Sequence, residues 1–249
     1  MFSNLIAYTQ VICMKLTNLM RSKITVLILL FAFLSSCEGD FITSKMQEGV
    51  IHYRIEYPSI PADNYMLDLM PKEMTTSFSD GEFRSDISAG MGLFRTSIIF
   101  NHEQEGLVHS LKLLNKKYAS SLTANEIAIV NPHFKEINVK ETGKSKTIAG
   151  LKCSEVLVEM KGDSLWQFKL YYTSEINIDE PNRFTPFKAI DGVLMEYEMI
   201  NYDTHMRFVA ERIESKEINH ESLKLEKDYE MVSASRLNDE IKAIFAKVK

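Results

Sequence analysis

Histidine, cysteine, serine and the carboxylates are the side chains here that could do chemistry. Six histidines occur: His52, His102, His109, His133, His205 and His220. None stands in the His-x-His or His-Glu-x-x-His spacing that brings two imidazoles to one zinc ion. His102 and His109 flank one expected turn and would face each other across a hairpin, although histidines so placed are more often ordinary surface groups. No Gly-x-Ser-x-Gly elbow and no Gly-rich phosphate loop occurs. The 34 Asp and Glu residues are scattered, so no pair stands out as acid and base. The sequence therefore names no reaction, no catalytic residue, no metal and no cofactor. The thirteen methionines suggest something else. A thioether packs adaptably around an irregular apolar ligand, though it also simply fills cores. Met66, Leu69 and Met70, with Phe184 and Phe187 from a proline-rich loop, are the candidate contacts to such a ligand. Core filling is the alternative at each.

The cysteines divide by context. In "ITVLILLFAFLSSCEGD" an apolar run from Ile24 to Leu34 ends at Ser35, Ser36 and Cys37, and charge follows. A spanning helix needs about 20 apolar residues. This run is roughly half that, the length of a signal-peptide core, with Arg21 and Lys23 before it and small residues after it. "LSSC" resembles the bacterial lipobox. The resemblance implies cleavage between Ser36 and Cys37 and acylation of Cys37, which becomes the first residue of the mature chain. Several acyl chains hold a protein firmly to a bilayer where one does so marginally. The rival is a secreted protein cut nearby, with Cys37 free to pair with Cys153. The stretch before the signal is long, and Met1, Met14 and Met20 are alternative starts. Cys13 leaves with the signal in each case. Cys153, in a strand-like run, reads as a small buried apolar side chain.

Removing residues 1–36 leaves 213 of the 249 residues, enough for one domain with a good core. It also removes Lys15, Arg21 and Lys23 and no acid, so the net charge moves from −5 to −8. Such a surface argues against nucleic acid as a partner, because phosphates need a basic face. It also disfavours electrostatic docking on anionic lipid, so the membrane contact falls to the lipid anchor. The expected address is the cell envelope, exported and held to a membrane, the outer before the inner.

The rest of the chain must position these residues. Residues 37–48 read as acylated cysteine and tether, and 49–249 as one domain. "GVIHYRIEYP" alternates, with Ile51, Tyr53, Ile55 and Tyr57 on one face, and Pro58 ends it. "NYMLDLMPKEM" suits a short helix or covering loop. Asp80-Gly81 between alternating runs is a hairpin signal. "GLFRTSIIFN" and "LVHSLKLLNKKYASSL" read as the two arms of another hairpin around "HEQEG". Thr123 and Glu126 form a capping-box pattern at a short helix. "KSKTIAGLKCSEVLVEMKGDSLWQFKLYYTSEI" holds two or three strands, and a last hairpin turns between Asn201 and Thr204. Leu237, Ile241, Ile244, Phe245 and Val248 form a helical stripe capped by Ser233 or Ser235. With no βαβ alternation, the fold class is mainly β: one large curved antiparallel sheet or open barrel, with one or two packing helices.

The order of "GVIHYRIEYP", "KTIAGLKCSEVLVE", "WQFKLYYTSEI" and "PFKAIDGVLMEYE" resembles a family of uncharacterised exported and lipoprotein-like proteins of the Bacteroidota, of the GLPGLI type. The Gly-Leu-Pro-Gly element is here reduced to "AIDG". The fold is similar to that of the lipoprotein carrier LolA and receptor LolB. The resemblance implies an acyl chain, a lipoprotein or another apolar ligand in the concave face of the sheet. The alternative is a protein–protein interaction module of an envelope complex.

Overall fold

The computed structural model describes residues 45–102, 106–123, 125–127, 137–160 and 166–246, without the side chain of Met66. The signal segment, Cys37 and His133 lie outside the described residues. Twelve strands form one open sheet: β1 (Glu48–Glu56), β2 (Glu73–Ser79), β3 (Glu82–Ala89), β4 (Phe94–Phe100), β5 (Leu107–Leu113), β6 (Lys116–Leu122), β7 (Ile137–Ile148), β8 (Leu151–Met160), β9 (Trp166–Thr173), β10 (Val193–Asn201), β11 (Thr204–Glu214) and β12 (Glu230–Met231). Their spatial order is β12-β6-β5-β4-β3-β2-β1-β11-β10-β9-β8-β7. Two meanders thus meet at a seam between β1 and β11. Every pairing is antiparallel except the short β12–β6 contact, which is parallel. The one long helix among the described residues is α1 (Ala234–Ala246).

Turn chemistry explains the hairpins. Asp80-Gly81, Ala149-Gly150 and Tyr202-Asp203 each place two successive residues at positive φ. That geometry matches the right-handed twist of the strands it joins. The run Leu107–Leu122 departs from the single hairpin arm expected of it. It folds back on itself at Leu114, which stands at φ 54, and becomes β5 and β6. Leucine carries no turn signal, so the alternation on either side hides the break. Met46 bridges Ile176, so among the described residues pairing begins just ahead of β1.

The two sheet faces are covered differently. On the inner face, α1 buries Leu237, Ile241 and Phe245, and its first turn is capped by Ser233 Oγ, 3.4 Å from the Arg236 N–H. The loop between β9 and β10 lies on the same side. There Asn182 Nδ2 donates to the carbonyls of Ile190 and Gly192, both at 2.8 Å. On the outer face of the first meander, residues 215–229 recross the strands as a strap. Ile218 and Leu223 pack on Val50, and Leu225 and Tyr229 on Ile99, Val108 and Ala119. Arg84 pins the strap: it is buried, pairs with Asp86 at 3.1 Å and Glu226 at 3.3 Å, and donates to the Lys224 carbonyl at 2.9 Å.

Candidate functional site

Alternation decides what faces inward. On β2 to β5 the inward positions include Met74, Thr76, Phe83, Ser85, Ile87, Thr96, Ile98, Leu107 and His109, and on the second meander Tyr197, Met199, Met206 and Phe208. Together with α1 and the 179–192 loop they enclose a cavity of about 230 Å³. A well-packed interior holds few voids larger than a water molecule, so a space this large between sheet and helix is a candidate binding site.

The sequence-predicted contacts fall in different places. Phe184 and Phe187 line the cavity. Phe187 is buried and meets Phe168 and Tyr197 edge-on at 6.2 and 6.1 Å, so it is both wall and plug. Leu69 lies on the outside of a 3₁₀ turn, 63% exposed, and Met70 is buried in the main core without lining the cavity. The methionines that do reach the cavity are Met74, Met199 and Met206. The side chain of Met66 lies outside the description.

A polar cluster in this wall centres on a histidine. His109 Nε2 is 2.9 Å from Thr96 Oγ1 and 3.2 Å from the Tyr202 hydroxyl. Thr96 Oγ1 also donates to the Ser110 carbonyl at 3.0 Å. Burial penalises the imidazolium and lowers the His109 pKa to about 4, so the ring is neutral near pH 7. Burial likewise raises the pKa of Tyr197 and Tyr202. Asn201 Oδ1 is buried without a partner. The sequence marks His109 only as a turn-flanking histidine. Its inward place between Leu107 and Leu111 was the available signal. The approach of Tyr202 carries none, because it depends on how the two meanders curl together.

His102 has other partners: the Asp80 carbonyl at 3.1 Å and Asp179 at 3.6 Å. Among the described residues, no group of three or more His, Cys, Asp or Glu is placed to hold a metal ion. Cys153 is buried, and burial pushes its thiol up to about 11.

The outer surface of the second meander carries a polar cleft lined by Glu56, Glu196, Glu198, Lys169 and Arg207. Arg207 joins Glu56 and Glu196, and Lys146 also reaches Glu196. The two Arg207 pairs join neighbouring strands, as cross-strand pairs do. Ser59 Oγ is 3.0 Å from His205 Nδ1, and His205 Nε2 is 2.8 Å from Glu198. Ser59, His205 and Glu198 thus stand in the order of a nucleophile relay. The backbone N–H that follows the serine, on Ile60, is taken by the Tyr57 carbonyl at 3.0 Å. It therefore offers no donor to a developing oxyanion.

The cavity is thus the better site, and it rests on geometry alone: no protein-family model matches the chain, and no curated protein matches its sequence.

Proposed function

We propose that this chain is a lipid-anchored protein of the bacterial cell envelope that holds an apolar ligand between its sheet and α1. The observation that carries the ligand reading is the cavity of about 230 Å³ walled by Met, Phe, Ile and Leu side chains. A cavity of about 150 Å³ takes one benzene ring. By that measure the present space suits a single chain or ring of roughly nine non-hydrogen atoms. A segment of one acyl chain fits this; the several chains of a lipoprotein anchor do not fit together. The anchor reading rests on the signal-like run before Cys37, and the order of motifs resembling exported Bacteroidota proteins agrees with it. The test is intact mass measurement of the full protein extracted from its native membrane in mild detergent. Denatured, it is expected to begin at acylated Cys37; native, to carry an apolar adduct. A protein that begins elsewhere, unmodified, removes the anchor. A protein that is empty, and stays empty when incubated with medium-chain alkanes, removes the ligand.

A second reading, an interaction module docking on an envelope protein, is favoured by one observation. Tyr65, Leu69, Met91, Leu93 and Leu114 are all exposed, and all sit in connections at the same end of the first meander, where Leu114 N–H bonds the Leu93 carbonyl at 2.8 Å. A photo-crosslinker at Met91 that captures one defined protein in intact cells would support it.

A further inference from the structure

The cavity wall has a property that apolar character alone does not require. Among the described residues, no Lys, Arg, Asp or Glu lines it. The histidine that does is neutral. A carboxylate or phosphate carried inside would lose its water and meet no opposite charge, and an isolated buried charge is far costlier than a buried neutral group. The wall does, however, have hydrogen-bonding capacity that the protein leaves unused. His109 Nε2 has one site for a hydrogen bond, as donor or acceptor according to tautomer, yet two hydroxyls approach it. Thr96 is the nearer at 2.9 Å and also reaches the Ser110 carbonyl. Because Thr96 spends its proton on Ser110, Nε2–H is the donor to Thr96; the Tyr202 oxygen, 3.2 Å from Nε2, also hydrogen-bonds the Asn201 side chain, so it is the Tyr202 proton that is the wall's spare donor. On the preceding residue, Asn201 Oδ1 is buried with no partner. Buried polar groups are normally satisfied, so an unpaired oxygen beside a hydroxyl with a proton to give asks for an explanation.

We propose that the cavity selects an uncharged ligand of roughly nine non-hydrogen atoms, its tail against Met74, Met199 and Met206 and its one polar group, a neutral oxygen, on the Tyr202 hydroxyl beside Asn201. This rests on the apolar-ligand reading and sharpens it. A neutral alcohol or carbonyl oxygen accepts from Tyr202, and an ionised acid is rejected for want of a cation.

The test is calorimetric titration of the full chain, in a bulky non-ionic detergent at pH 8, with octane, 1-octanol and octanoate. At that pH the acid is fully ionised. Octanol is expected to bind most tightly, and octanoate at least about a hundredfold more weakly. Tyr202→Phe keeps the ring and its stacking on Phe245 while deleting the hydroxyl. It should lower octanol affinity about tenfold, the scale of one hydrogen bond, and leave octane unchanged. Octanoate binding as well as octanol, or octanol binding undiminished in Tyr202→Phe, overturns the proposal while octane binding keeps the apolar reading intact. Failure of all three ligands to bind overturns both.

Discussion

The Tyr202 hydroxyl stands 3.2 Å from His109 Nε2, although 93 positions separate the two residues. The contact joins β5 of the first meander to the β10–β11 turn of the second. It closes one side of the cavity, and its histidine is held neutral by burial with a pKa of about 4.

That value sets a pH dependence. The unfolded histidine titrates near 6.5, so between 6.5 and 4 the unfolded chain binds a proton that the folded chain refuses. Stability is full above 6.5 and falls as the pH drops toward 4. The expected loss is about 2 kcal/mol by pH 5. Urea unfolding at pH 7.5 and pH 5 measures it, and His109→Gln should remove most of the difference. Tyr202 is the titratable neighbour, and it stays protonated throughout this range.

Arg84 gives a second prediction. Its guanidinium bonds Asp86, Glu226 and the Lys224 carbonyl, and its side chain is 6% exposed. Truncation removes the guanidinium from between Asp86 and Glu226, and breaking such a buried network costs about 3 kcal/mol. Arg84→Ala should lower the unfolding midpoint accordingly. It should also make the strap at Lys224 and Lys227 sensitive to trypsin before the strands are cut.

Cys153 should be silent in the folded protein. Its thiol is buried, and the raised pKa leaves almost no thiolate at pH 8. Alkylation followed by peptide mass mapping should find Cys153 unmodified under native conditions and fully modified in denaturant. Rapid native labelling would show that β8 opens locally.

Leu237 on α1 is almost fully buried and lines the cavity. Leu237→Ala is expected to cost about 3 kcal/mol, the transfer and cavity terms together. Because the change enlarges the space, a longer alkane should gain affinity relative to octane. Calorimetry on the variant checks both expectations.

Much of this architecture was legible from the chain because period-2 alternation and turn residues are local signals. Asp80-Gly81 announced the β2–β3 hairpin, and the stripe through Leu237, Ile241 and Phe245 announced α1. The capping box is present as read, with the Thr123 N–H and hydroxyl donating to Glu126 at 2.9 and 2.8 Å. What the sequence hid is what depends on sheet curvature. Leu69 and Met70 adjoin in sequence, yet one is in solvent and the other in the core. His109 and Tyr202 meet only because the meanders curl toward each other. The turn at Leu114 was hard to place because leucine holds its left-handed position, and Asn115 beside it is the one local turn signal.

The seam has a consequence for how the molecule forms. Nine of the eleven strand pairings join neighbours in sequence, and such local contacts close fast. The β1–β11 pairing, which sets Ile51 opposite Ile213, spans most of the domain. Its closure spans the longest loop of the eleven and so carries the largest loop entropy. β1 is made first, pairs at once with β2, and then waits with its other edge bare until nearly the whole chain has emerged. The strand that begins the sheet is among the last to be enclosed, and until then its open edge is where the growing chain is most exposed to pairing with another molecule.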